Sequence, residues 1–133
     1  MTRHEQRVFV FKLIFESLFR KDETPEDIYL SECDENGYAA YPYISETFIA
    51  SVKNTDESDA LVREYAVGWS PERLSNTAKA TMRLSLYELL HSDVPPKVVI
   101  NEAVEIAKEY ASEDEASFVN GILNKIAHDK NLI

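Results

Sequence analysis

The chain has 133 residues, a length that suits one domain and is enough to bury a core. It is 44% hydrophobic, but no apolar stretch approaches the roughly 20 residues that span a membrane, and the N-terminus lacks a cleavable signal pattern. The formal net charge of −10 argues against indiscriminate nucleic-acid binding. The single cysteine, Cys33, cannot form an internal disulfide, which is consistent with a reducing cytoplasm.

The N-terminal part of the chain has helical spacing and almost no strand signals. Apolar residues cover most sides of a predicted helix over 3–20, and this distribution is typical of a buried helix. Thr24 and Pro25 are a good helix start, because Thr can cap and Pro suits the first helical position. We therefore expect a second, short helix that ends before Gly37.

Three further helix starts follow in the middle part of the chain. An apolar stripe predicts a third helix over 44–53, and Asp56 or Ser58 could cap a fourth helix after it. Ser70 and Pro71 repeat the pattern of a capping residue followed by proline, so we expect the next helix to begin there.

The C-terminal half also has the spacing of helices. The segment 78–90 has apolar residues on two sides, which predicts a central helix. A proline-containing break separates it from a helix over 98–111, and the last helix should start at Ser112 or Glu113 and run to about residue 127. The sequence therefore predicts an all-α domain of about six or seven helices.

Asn120-Gly121 stands out within the last predicted helix. Asn-Gly is a strong hairpin signal, yet the apolar residues around it recur at helical spacing. A glycine inside a helix costs about 1 kcal/mol relative to alanine. We therefore expect another helix, or a ligand, to approach closely at Gly121, because a residue without a Cβ permits that approach.

Signals for catalysis are poor. The three histidines are far apart, none has metal-ligand spacing with Cys33, and there is no glycine-rich phosphate loop, so we expect no enzyme, metal or cofactor.

The N-terminal 21 residues carry five bases and two acids, in contrast to the acidic remainder. Arg3, His4 and Arg7 share one side of the first predicted helix, and they form either a plain basic tail or a phosphate-contacting patch.

The C-terminal third resembles a known family. Residues 84–127, LSLYELLHSDVPPKVVINEAVEIAKEYASEDEASFVNGILNKIA, resemble the C-terminal half of the NusB family of bacterial transcription antitermination factors. The opening RHEQRVFVFKLIFE resembles the first helix of that family. The matching residues are Arg3, Arg7, Phe15, Arg83, Tyr87, Glu88, Leu89, Pro95, Ile100, Asn101, Glu102, Ala103, Glu105, Ala107, Lys108, Phe118, Val119, Asn120, Gly121, Leu123 and Lys125.

The resemblance implies a fold of two small helical bundles, here about 1–68 and 69–133 of a single domain 1–133, without catalysis. It implies binding to single-stranded boxA RNA of rRNA operon leaders together with ribosomal protein NusE, so that RNA polymerase reads through terminators. Phe15 is the candidate for the protein-partner side. The implied RNA-binding residues are Arg3, His4, Arg7, Arg83, Asp114 and Phe118.

Several alternatives remain at the level of sequence. His4, Glu5 and Gln6 stand where the family often has a denser arginine cluster, so we expect weak RNA binding without the basic partner. The chain could instead be a helical protein-interaction module that has lost RNA binding, or a fragment of an rRNA methyltransferase with a NusB-like domain. The oligomeric state stays open.

Overall fold

The structure is a computed structural model that describes residues 1–37, 41–66, 68 and 71–133, without the side chains of 34–36 and 71. Within these residues every regular element is helical, which confirms the all-α prediction. No helix there is long and apolar enough to cross a membrane. The elements are α1 (Arg3–Ser17), α2 (Pro25–Asn36), α3 (Pro42–Lys53), α4 (Thr55–Tyr65), a 3₁₀ turn (Pro71–Arg73), α5 (Asn76–His91), α6 (Pro96–Tyr110) and α7 (Glu113–Asp129).

Several predicted helix ends are confirmed. The Thr24 side chain accepts a hydrogen bond from the Asp27 backbone N–H, and α2 ends just before Gly37, its C-cap, which is left-handed with φ 71°. Glycine suits that position because it has no Cβ to clash there. The Ser112 side chain caps α7 by accepting from the backbone N–H of Glu115.

Other predicted ends were wrong. α1 ends at Ser17 and not near residue 20, because the next backbone N–H groups bond three residues back and tighten the chain into turns. α4 begins at Thr55, so Asp56 lies within it, and the Ser58 hydroxyl donates to the backbone oxygen of Asn54.

The start of α5 also differs from the sequence interpretation. Ser75 caps this helix by accepting from the Ala78 backbone N–H, and the helix begins at Asn76. Pro71 begins only a short 3₁₀ turn, and the predicted cap Ser70 lies outside the described residues. Two serines five residues apart offer the same capping chemistry, so the sequence alone favoured the one that precedes proline.

Two apolar cores share the central helix. Ala80 and Leu84 of α5 pack in one core with residues of α1, α2 and α3, together with Ile106 of α6. Met82 and Leu86 of the same helix pack in the other core with α4, α6 and α7. The prediction that this helix is central is therefore confirmed. Because α4 joins the second core, the two cores do not divide along the chain at residue 68.

Gly121 does not serve a close helix–helix contact, so the first of the two expected alternatives was wrong. A Cβ built on Gly121 would meet nothing within 4 Å in the described part of the chain. The residue is exposed, whereas Val119, Ile122 and Leu123 face the core. Gly121 therefore lies on the outer face of α7, where the chain itself does not require a glycine.

We predict that Gly121→Ala stabilises the protein by about 0.5–1 kcal/mol, because alanine fits the helix and restricts the unfolded chain. Urea unfolding followed by circular dichroism measures this change. A clear loss of stability would contradict the open surroundings of Gly121. Gly37→Ala is the matched control and should destabilise, since its left-handed backbone disfavours a side chain.

Candidate nucleic-acid interface

A buried ion pair joins the first helix to the central one. The Arg7 guanidinium on α1 donates from Nε to Glu88 Oε1 at 2.8 Å and from Nη2 to Glu88 Oε2 at 3.2 Å. Arg7 is 4% exposed and Glu88 is 1% exposed. The Tyr43 hydroxyl on α3 donates to the same Oε2 at 2.8 Å. Three helices therefore meet at one carboxylate.

The pKa values in this cluster follow from its burial and its charges. Burial alone would lower the pKa of Arg7, but the hydrogen bonds and negative charge of Glu88 outweigh it and raise the pKa. Burial raises the pKa of Tyr43, and the Glu88 charge raises it further. Arg7 is thus a charged partner of Glu88 inside the protein, with little of its guanidinium left for a ligand.

The other two members of the predicted basic patch lie nearer to solvent. The exposed Arg3 places its guanidinium over the Tyr43 ring, 4.1 Å from the centroid, in a cation–π arrangement. His4 Nδ1 lies 2.6 Å from Glu102 Oε2 on α6, and this hydrogen bond raises the pKa of His4. Both residues line a groove of about 700 Å³. Arg3 is therefore the residue of the three that offers a cation at the surface.

The predicted C-terminal site residues lie elsewhere. Asp114 is exposed in the first turn of α7, and Phe118, one turn later, is half-buried. Phe118 lines a shallow depression together with Tyr65, Gly121 and Lys125. The structure therefore brings Phe118 next to aromatic and cationic neighbours, but it does not place it in the groove of Arg3 and His4.

Arg83 is held by an acidic neighbour. Its Nε and Nη2 donate to the two carboxylate oxygens of Asp59 at 3.3 and 3.0 Å, and its side chain is 16% exposed. This two-pronged pair ties α5 to α4. Like Arg7, Arg83 acts first as a link between helices.

The predicted partner residue lies beside an exposed aromatic ring. Phe15 is half-buried near the end of α1, and its ring centroid is 5.3 Å from that of Phe19. Phe19 is 63% exposed. An exposed aromatic ring supported by a second one offers an apolar contact to another protein.

Sequence reasoning missed Glu88 and Tyr43 as the partners of Arg7. Glu88 lies one turn after Leu84 on a buried face of α5 that also carries Ser85. An acid at helical spacing from buried residues is the signal that could have indicated a buried cation partner. Tyr43 carries no such signal, because an aromatic residue at the start of a helix is ordinary.

The fold and these surfaces define a small helical binding protein with a surface arginine, exposed aromatic rings and an acidic body. Comparison with known proteins gives its family. The sequence profile of the NusB family matches residues 4–128. The chain belongs to the NusB family, and its named relatives are transcription antitermination proteins.

Individual relatives match over nearly their full lengths. The transcription antitermination protein NusB of Acetivibrio thermocellus is 38% identical over 98% of this chain and 91% of its own. That of Agathobacter rectalis is 39% identical over 96% of this chain and 100% of its own.

Solved structures agree with this assignment. A crystal form of T. maritima NusB superposes with a TM-score of 0.86 at 38% identity, covering 96% of this chain and 92% of that one. A chain from a complex of the antitermination factors NusB and NusE with double-stranded RNA gives 0.80 at 26% identity, covering 97% and 99%.

We predict that Glu88→Gln lowers the free energy of unfolding by about 3–5 kcal/mol, because it leaves the buried Arg7 charge without its carboxylate. Glu105→Gln, an exposed position on α6, should change it by less than about 0.5 kcal/mol. Chemical denaturation of both variants measures the difference. Equal stability of the two variants would contradict a structural role for the Arg7–Glu88 pair.

Proposed function

We propose that this chain is a transcription antitermination factor that binds boxA RNA together with ribosomal protein NusE. The observation that carries the proposal is the match over almost the whole chain to a NusB chain from a complex with NusE and RNA. The named relatives, which are transcription antitermination proteins, support the same role. In this role the protein acts in the cytoplasm and reaches RNA polymerase indirectly, through the assembled complex.

The RNA surface in this proposal has two parts. Arg3 and His4, at the start of α1, supply the phosphate-facing part, since Arg3 is exposed and arginine pairs well with phosphate. Asp114 and Phe118 on α7 supply the second part, where the ring of Phe118 can stack on a base beside Lys125. Arg7 and Arg83 belong to this surface as positioning residues, because their guanidinium groups are engaged with Glu88 and Asp59.

The exposed glycine on α7 supports this second part. Gly121 lines the same depression as Phe118, and a Cβ added to it would meet nothing within 4 Å in the described part of the chain. A position without a side chain lets an RNA base or backbone lie flat against the helix next to a stacking ring. The approach at Gly121 is therefore assigned to the ligand, which is the alternative that the sequence left open.

The partner surface in this proposal lies at the other end of α1. Phe15 and Phe19 form the apolar contact there for NusE. The protein carries a net charge of −10, so a basic partner is complementary to it and would compensate for the small number of exposed arginines. RNA binding by the isolated chain should then be weak and should strengthen when NusE is present.

The direct test is fluorescence anisotropy of a labelled boxA RNA, with and without NusE, across a series of salt concentrations. We expect sequence-selective binding that strengthens with NusE and depends only weakly on salt, because few phosphates are contacted. A scrambled RNA is the control. Absence of selective binding even with NusE would contradict the proposal and favour a protein-interaction module, the alternative that the acidic surface supports.

We predict that Arg3→Ala, which removes a phosphate contact, and Phe118→Leu, which removes a base-stacking contact, each weaken RNA binding in the presence of NusE by about five- to tenfold. A loss of this size is at the lower end of the about 1–3 kcal/mol that a base-stacking contact is worth. Arg63→Ala removes an exposed cation on α4 that pairs with Glu72 and is the matched control. The same anisotropy assay measures all three variants. An equal loss in Arg63→Ala would indicate a general charge effect and contradict the assigned surface.

We predict that Phe19→Ser weakens NusE binding by about tenfold or more, because it removes an exposed aromatic ring from the partner surface. Leu132→Ser, an exposed apolar residue near the C-terminus, is the control and should have no effect. Calorimetric titration with NusE measures both. Unchanged affinity for Phe19→Ser would place the partner surface elsewhere.

A further inference from the structure

Three side chains with metal-binding atoms meet between α1 and α6. His4, Glu102 and Glu105 each place one ligand atom within 4.8 Å of the other two. Within the described parts of the chain, this is the one group of three or more His, Cys, Asp or Glu side chains that comes together in this way. Glu102 and Glu105 are three residues apart on α6, so they lie on the same face of the helix.

We propose that His4, Glu102 and Glu105 bind a divalent first-row transition metal, for which Zn²⁺ is the probe. One imidazole nitrogen and two carboxylate oxygens are a ligand set that suits zinc and related ions. Three protein ligands leave at least one coordination position open to water or to another molecule. The family assignment does not include this site. The proposed function uses His4 in its RNA surface, but metal binding is tested without RNA or NusE and does not depend on that role.

The hydrogen bond between His4 and Glu102 already brings two ligand atoms together. The 2.6 Å contact between Nδ1 and Oε2 holds both atoms toward one point. A bound zinc ion would take the place of the shared proton, and its bond lengths would spread the two atoms to about 3.3 Å. Both residues are partly exposed, so a movement of less than about 1 Å does not disturb the core.

Neighbouring residues hold the site in position. Arg7 Nη1 lies 3.7 Å from Glu102 Oε1 and so directs the other oxygen, Oε2, toward His4. Partners of this kind orient metal ligands and strengthen many metal sites. The positive charge of Arg7 would oppose a metal ion if it stood alone, but its two hydrogen bonds to Glu88 offset it.

The charges around the site favour a cation. Glu88, Glu102 and Glu105 outnumber the single guanidinium of Arg7 in the immediate cluster. The adjoining groove contains Arg3 but also the acids Glu46 and Asp93. With His4 neutral, as a metal ligand must be, the excess of carboxylates complements a doubly charged ion.

The test is isothermal titration of the purified full chain with zinc chloride, after treatment with a chelator. We expect one zinc ion per chain, and we expect Glu105→Gln and His4→Gln each to weaken its binding by at least about tenfold. Glu109→Gln, an exposed acid on the same helix, is a matched control. His91→Gln is the second control, because His91 pairs with Glu57 at 2.8 Å and lacks a third ligand.

Both controls should bind zinc as the unsubstituted chain does. Absence of saturable binding, or equal weakening in His91→Gln, would overturn the inference. Circular dichroism shows whether each variant is folded. Imidazole NMR signals of the unsubstituted chain provide a second measurement that needs no variant: zinc should shift the His4 signals, and a shift confined to His91 or His128 would also overturn the inference.

Discussion

The fold depends on one buried carboxylate. Glu88 of α5 accepts hydrogen bonds from Arg7 of α1 and Tyr43 of α3, so it fixes three helices at one point between the two cores. A buried charge of this kind is tolerated only when its partner and its remaining hydrogen bonds are in place. The same contact distinguishes the two arginines of α1. Arg7 is buried against Glu88, whereas the exposed Arg3 lies over the Tyr43 ring.

The candidate binding surfaces lie on the two helices α1 and α7. α1 presents Arg3 and His4 at its start and the Phe15–Phe19 pair at its end, while α7 presents Phe118 and Gly121 on its outer face. These surfaces lie on a protein with a net charge of −10. Such a surface suits a binding role that is shared with a basic partner, rather than tight RNA binding by one chain.

The helices were predictable because their signals are local. The caps Thr24 and Ser112 and the glycine that ends α2 lie within a few residues of the contacts that they make. The pairs Arg7–Glu88 and His4–Glu102 join residues about 81 and 98 positions apart, and no local pattern shows such contacts. Gly121 was misjudged for a related reason: its helical setting was evident, but the face on which it lies depends on tertiary packing.

The most direct test of this account is to follow the Arg7 Nε–H signal by NMR while boxA RNA and NusE are added. If Arg7 remains the internal partner of Glu88, this signal should stay protected and nearly unchanged, while the signals of Arg3 and Phe118 shift. Loss of protection at Arg7, with a shift as large as that of Arg3, would show that the arginine leaves Glu88 to contact RNA. That result would contradict the division between internal and surface arginines.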